Sequence, residues 1–188
     1  GCTGVASQAI VVNPLPTPVI SGNDAVCDGD AGIAYSTPNV AGHTYSWTVV
    51  GGAPSATTGN SITVDWGVAG AGTLTVAETI TVTGCVVTTG VYNVLINPNP
   101  APTITVVGGL TTVCEGTTGA NYTVPLVGGD SYAWTVVGGT VTAGASTNDI
   151  TVTWDVAGAG DVSIIQTTTA TGCTGVASQA IVVNPLPT

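Results

Sequence analysis

The side chains with chemistry to offer in this chain are five cysteines, one histidine and a small group of acids. Cys2, Cys27, Cys85, Cys114 and Cys173 come singly, with no C-x-x-C pair, and His43 is the only histidine. A zinc site has no ligand set here. Disulfides are the chemistry that remains, and they imply an oxidising compartment outside the cytoplasm. Asp24, Asp28 and Asp30 cluster around Cys27 in a glycine-containing loop, where oxygen ligands at close spacing could take calcium. That cluster is the one candidate metal site; no other cofactor is expected. A hydrolytic triad needs a histidine base, and His43 aligns with Asp130 in the second half of the chain, so no triad recurs. The remaining carboxylates are scattered, with no pair suited to glycoside cleavage, and the expectation is a protein that is not an enzyme.

What must position these residues is a repeat. GCTGVASQAIVVNPLPT fills residues 1 to 17 and returns unchanged at residues 172 to 188, a shift of 171 (173 − 2). Seventeen identical residues point to recent tandem duplication, and to a repeat architecture. A shorter period lies inside it: Cys27 to Cys114, Tyr35 to Tyr122 and Trp47 to Trp134 are each 87 apart, whereas Trp66 to Trp154 and Cys85 to Cys173 are 88 apart. One period therefore holds two homologous domains. Residues 1–17 read as the closing strand and linker of a preceding repeat, 18–102 as a first domain, and 103–188 as a second with its trailing linker.

Each domain reads as β throughout, because Val, Ile, Thr, Tyr and Trp alternate with polar residues between Gly, Asn and Pro punctuation. Tyr45, Trp47 and Val49 share one strand face, and Ile62, Val64 and Trp66 share another; Tyr132, Trp134, Val136 and Ile150, Val152, Trp154 repeat the pattern. The glycine-rich runs after Trp66 and Trp154 are expected as turns, with long strands starting at Thr73 and Asp161. Leu74, Val76, Ile80 and Val82 alternate on one face, but Glu78 falls among them, as Gln166 does in the second domain. A bulge would explain the phase conflict, and a structural role is expected for the polar group.

The repeat also assigns the cysteines. Cys27 is expected to pair with Cys85, and Cys114 with Cys173. Cys2, the copy of Cys173, would pair with the Cys114 equivalent of a preceding repeat. Loops of 58 (85 − 27) and 59 (173 − 114) residues would stabilise each domain by about 4 kcal/mol on the chain-entropy model.

Composition limits the partners. The chain has no Lys or Arg, ten Asp plus Glu and a formal charge of −10. Polynucleotides and anionic lipid surfaces would repel it. Lysine is a common guard of sheet edges, and its lack leaves lateral self-association open. No apolar run reaches the roughly 18 residues of a membrane helix, and no basic-then-apolar stretch opens these residues, so any export signal or anchor is expected to lie outside them. Asn121-Tyr122-Thr123 is a lone glycosylation sequon.

A Cys, then Tyr-x-Trp-x-Val and Gly-Gly (45–52 and 132–139), then an apolar strand ending in Trp, then Gly-Cys and a closing strand before Asn-Pro, resembles the PKD-like and immunoglobulin-like domains of large bacterial surface proteins of the Bacteroidota type. The likeness covers both domains. It implies an all-β fold of tandem immunoglobulin-like (PKD-like) β-sandwiches and an extracellular, cell-surface location. Where the typical PKD strand reads Trp-Asp-Phe-Gly-Asp-Gly, this chain has Trp-Thr-Val-Val-Gly-Gly, a looser relation.

The function expected is that of a structural repeat segment in a long, disulfide-stabilised surface fibre or filament, whose partners are copies of itself. Proline-rich linkers at 13–18 and 97–102 should be stiff and keep neighbouring domains roughly end to end. Two alternatives stand beside it. One is an adhesin whose repeats bind a glycan or a cell-surface protein, with Tyr92 as an aromatic that could be exposed. The other is a non-covalent filament whose subunits lend residues 1–12 as a strand to a neighbour.

Overall fold

The computed structural model describes residues 1–187; Thr188, the last residue of the repeated stretch, lies outside them. Among the described residues every regular element is a β-strand. The chain divides into two compact units, Gly1–Ala25 with Gly29–Ile96, and Val26–Asp28 with Asn97 onward.

The first sequence repeat supplies β1 (Ser21–Gly22), β2 (Ala25–Cys27), β3 (Ile33–Ser36), β4 (His43–Val50), β5 (Gly52–Pro54), β6 (Ser61–Trp66), β7 (Gly70–Ile80), β8 (Val86–Thr88) and β9 (Tyr92–Asn97). They form two sheets, ordered β1-β3-β6-β5 and β2-β9-β7-β4, with β8 also paired to β7. The second repeat supplies β10 (Thr105–Val106), β11 (Thr112–Cys114), β12 (Ala120–Thr123), β13 (Asp130–Val137), β14 (Gly139–Ala143), β15 (Asp149–Trp154), β16 (Gly158–Thr168) and β17 (Thr174–Asn184). Its sheets run β10-β12-β15-β14 and β11-β17-β16-β13, the same order element for element. In the second unit Tyr122, Ile150, Val152 and Trp154 from one sheet meet Val162, Ile181 and Val183 from the other in a buried cluster. That is a β-sandwich, with side chains of the two inner faces interdigitating. The first unit buries the equivalent Tyr35, Ile62, Val64, Trp66, Leu74, Val76, Val94 and Ile96.

Two single-residue differences separate the repeats, and both are absorbed locally. The second repeat gains its extra residue before Trp154, where β14 shifts register against β15 between Val141 and Ala143. A bulge takes up one residue without disturbing the strands beyond it. The first repeat gains a residue between Cys85 and Asn97. There the strand corresponding to β17 breaks into β8 and β9, and Thr89 patches the gap: its amide donates to Val76 O (3.0 Å) and its hydroxyl accepts from Val76 N (3.1 Å).

The long strands start at Gly70 and Gly158, not at Thr73 and Asp161. Glycine is required inside them, since a Cβ on Gly72 would stand 2.3 Å from the Trp66 ring and one on Gly160 2.5 Å from the Trp154 ring. Val82 lies beyond the end of β7 and is 91% exposed. No bulge relieves the phase at Glu78: β4 and β7 pair in unbroken register from His43↔Ile80 to Val50↔Thr73, and Glu78 points inward opposite Tyr45.

The duplicated stretch takes two conformations. Residues 174–184 form β17 between β11 and β16, whereas the identical residues 3–13 form no strand and are exposed. With the same sequence in both places, propensity cannot decide; partners on both edges do.

Candidate functional site

The register of the strands fixes where the cysteines lie. In the second unit β11 pairs β17 with Cys114 opposite Asn184, beside the end of β16 where Gly158 meets Val183. Cys173 follows the hairpin turn at the other end of β16, where Thr168 N donates to Cys173 O (2.9 Å). The 11 residues of β16 put about 30 Å between those ends at ~3.3 Å per residue. A disulfide needs Cα atoms within about 7 Å, so the expected Cys114–Cys173 bond cannot form. Cys27 and Cys85 are separated in the same way: Asp28 N donates to Asn97 O (2.8 Å) at one end of the sheet, and Ile80 N to Cys85 O (2.9 Å) at the other end of β7.

The bond that does form joins Cys27 to Cys173, 146 residues apart, with Cα atoms 5.5 Å apart. It replaces both expected pairings. The matched spacings of 58 and 59 residues within each repeat point to pairing inside a repeat; strand direction rules it out. Cys173 is buried, and the Cys27 segment is also held by side chains of the Asn97–Pro102 linker. Asn97 Nδ2 donates to Val26 O (3.1 Å) and Asn99 Nδ2 to Asp28 O (2.8 Å). Cys2, Cys85 and Cys114 carry no disulfide.

Backbone hydrogen bonds hold the acidic residues around Cys27 in place. Asp24 O accepts from Leu95 N, Asp28 N donates to Asn97 O, and Asp30 O accepts from Trp66 N (2.7 Å), so strand pairing governs the backbone of all three. Among the described residues no group of three His, Cys, Asp or Glu side chains stands together as a metal site. Asn121 of the sequon sits in β12 with its amide committed to Asp149 Oδ1 (2.9 Å) and Ile150 O (3.2 Å).

Glu78 and Gln166 explain each other. Glu78 is 3% exposed and its Oε1 lies 2.6 Å from His43 Nδ1; Gln166, also 3% exposed, donates from Nε2 to Asp130 Oδ2 at 2.5 Å. Because 43 aligns with 130 and 78 with 166, each repeat keeps a polar pair at one place but exchanges which partner carries the carboxylate. A buried polar group left alone costs about 1–3 kcal/mol, so a change at one position demands a change at the other. Each pair sits in a shallow groove beside linker prolines: Pro14 and Pro16 with Pro38 and Val40 in the first unit, Pro98 to Pro102 with Pro125 and Val127 in the second. His43–Glu78 has the composition of a base and its orienting acid, but the equivalent pair is an acid and an amide. The two grooves share a structural task and no proton chemistry.

The aromatic side chains are likewise committed to the fold. Tyr45 OH donates to Pro38 O (2.9 Å) and accepts from Val40 N (2.8 Å), and Tyr132 OH accepts from Val127 N (2.7 Å). Trp47 Nε1 donates to Gly59 O and Trp134 Nε1 to Thr147 O, both at 2.8 Å. Trp66 donates to Tyr35 OH and Trp154 to Tyr122 OH, each at 3.1 Å and with the rings edge to face. Burial pushes the pKa of Tyr35 and Tyr122 up, against the opposing pull of the indole N–H. Tyr92, expected as an aromatic that could be exposed, packs on Tyr35 and donates to Gly22 O (2.6 Å). All four Trp and five Tyr are buried or half-buried.

A family model described as PKD-like domain matches the chain twice, over residues 13–92 and 100–183. No curated protein matches it in sequence. Among solved structures, a C-terminal fragment of intimin in complex with the intimin-binding domain of its translocated receptor is 16% identical, with a TM-score of 0.49 over 92% of this chain and 64% of that one. The Clostridium thermocellum CbhA fibronectin(III)-like modules are 14% identical (TM-score 0.41, 89% and 95% covered). SGBP-B of the Bacteroides ovatus mixed-linkage glucan utilization locus, in complex with a mixed-linkage heptasaccharide, is 18% identical (TM-score 0.32, 87% and 43% covered). The chain thus spans less than two thirds of the intimin fragment and under half of SGBP-B.

Proposed function

Because the chain belongs to the PKD-like domain family, we propose that it is a structural repeat segment of a long, disulfide-stabilised fibre displayed on a cell surface. The observation that carries this reading is the identity of residues 1–17 and 172–188, which makes two sandwiches the unit of a longer period. Repetition supports a role in which extent is the useful property. Internal commitment of the aromatic side chains supports it too, since a sugar platform needs an exposed ring face. An extracellular setting accords with the Cys27–Cys173 bond.

The test is the intact mass of the natural protein under reducing, denaturing conditions, with electron microscopy of the same material. A mass many times 18.2 kDa and extended particles are expected. A mass near that of this segment, with isolated compact particles, overturns the fibre.

A second reading has its own support. The exposed residues 3–13 have the sequence of β17, a strand paired on both edges. In a filament of separate subunits they would enter a neighbour as a donated strand. That filament would fall apart to small subunits in denaturant after reduction, which the same mass measurement detects. A glycan- or protein-binding adhesin is the remaining reading, and glycan-array binding by the whole chain would raise it above the other two.

A further inference from the structure

We infer that Cys114 and Cys85 make the same bond as Cys27 and Cys173, each with the equivalent cysteine of a further copy of the repeat, so that a tandem array is linked by a disulfide from every repeat to the next. The inference rests on the tandem reading above. Its own support is local geometry that the two repeats share.

Cys27 and Cys114 each end a three-residue strand and each precede an acid and a glycine of positive φ, Gly29 (76°) and Gly116 (81°). The next amide makes the same hydrogen bond in both, Asp28 N to Asn97 O and Glu115 N to Asn184 O, each 2.8 Å. Cys85 and Cys173 follow the same hairpin turn. Gly84 N donates to Ile80 O and Gly172 N to Thr168 O, both at 2.8 Å. Cys85 N donates to Thr83 Oγ1 and Cys173 N to Thr171 Oγ1, both at 3.3 Å. Each unbonded cysteine therefore holds the backbone pose of a bonded one. Cys114 is exposed and Cys85 half-buried, and neither carries a disulfide within the chain.

Sequence order then assigns the partners. The bond seen here runs from the opening strand of one repeat to the hairpin of the repeat that follows. Applied to Cys114, the rule selects the Cys85 equivalent of a following copy; applied to Cys85, it selects the Cys114 equivalent of a preceding one. These are the same bond viewed from its two ends. Cys2, as the copy of Cys173, takes the Cys27 equivalent of a preceding copy in place of the Cys114 equivalent first expected.

The oxidant is a protein disulfide of the thiol–disulfide oxidoreductase class. The Cys114 thiolate attacks one of its sulfurs, forming a mixed disulfide and releasing the oxidase's other sulfur as a thiolate. The Cys85 thiolate then attacks the Cys114 sulfur and displaces the oxidase. Two electrons pass to the oxidase, and the two protons lost by the cysteines balance those that its dithiol takes up.

The experiment is disulfide mapping of the full natural chain, alkylated in denaturant without reduction and digested with a protease that does not depend on Lys or Arg. The sequences around Cys27, Cys85, Cys114 and Cys173 all differ, so each linked pair is identifiable. Expected are Cys27–Cys173 peptides and Cys114–Cys85 peptides. Cys114→Ser should leave one alkylated Cys85 equivalent for each repeat changed. Linkage of Cys27 to Cys85 or of Cys114 to Cys173 overturns the inference, and so do alkylated Cys85 and Cys114 in a chain whose mass shows many repeats. The same thiols alkylated in a chain of one period would instead defeat the tandem reading and this inference together. On a non-reducing gel a single band places the new bond within one chain, and a ladder of crosslinked species places it between chains.

Discussion

Equivalent positions in the two repeats meet the same packing problem with different side chains. Thr37 is 4% exposed and its hydroxyl is buried with no partner, while its equivalent in the second unit is Val124, also buried. Replacing an unsatisfied hydroxyl by a methyl of similar shape removes a desolvation penalty. Thr37→Val should therefore stabilise the first unit by about 1 kcal/mol, read as a higher urea midpoint with an unchanged slope. The polar pairs allow a sharper trial. His43→Asp alone sets a carboxylate against Glu78 and should cost about 1–3 kcal/mol, whereas His43→Asp with Glu78→Gln recreates the Asp130–Gln166 pair and should recover most of that loss. Additive effects in the double-mutant cycle would mean that the two side chains do not support one another. Tyr35 and Tyr122 give the pH dependence. Their pKa values are raised by burial above the ordinary tyrosine value of about 10. The proton is thus held more tightly in the folded chain than in the unfolded one. The associated stability is fully present below pH ~10 and is lost as pH rises through the folded values. Alkaline unfolding followed by tryptophan fluorescence should begin in that range, and Tyr35→Phe should shift the onset upward for the first unit.

At the scale of elements, the strands β7 and β16 are shaped by glycine as much as by their apolar residues. Gly72 and Gly160 let the strand pass flat against the six-membered ring of Trp66 or Trp154, where a Cβ would overlap it. Gly72→Ala or Gly160→Ala should destabilise its own unit by about 1–3 kcal/mol through overpacking, and the corresponding tryptophan emission should shift to the red. Alternation made the strands readable, because a residue's face depends on its neighbours two positions away and hence on local sequence alone. Tyr45, Trp47, Ile62, Val64 and Trp66, and the matching set in the second repeat, face the core as their phase requires; of these Trp134 alone is only half-buried. The glycine runs misled as to where the strands start, since glycine marks both a turn and a close approach. Glu78 was visible as an anomaly but not its solution, because His43 lies on another strand 35 residues away. The cysteine pairing was illegible for a related reason: it depends on which end of a sheet each strand points to, and spacing along the chain carries no direction.

Whole-molecule stability turns on the Cys27–Cys173 bond. Closing a 146-residue separation restricts the unfolded chain by about 5 kcal/mol on the chain-entropy model, more than either pairing expected from the sequence would have given. The backbone ladders of both sandwiches are made by amides and carbonyls and by none of the cysteine sulfurs. Reduction should therefore leave the far-ultraviolet strand signal at low denaturant unchanged while lowering the unfolding midpoint of the 188-residue chain. Cys27→Ser and Cys173→Ser should each reproduce that loss, and the double variant should cost no more than either single one, because one crosslink is removed in every case. Cys85→Ser in the isolated segment should leave the midpoint where it was. If reduction instead abolished the strand signal, the bond would be holding the sandwiches themselves together, and the two cores of buried Trp, Tyr, Ile and Val would not be sufficient to fold without it. Cys27 lies in the first sequence repeat and Cys173 in the second, so the crosslink shortens the unfolded chain across most of both repeats.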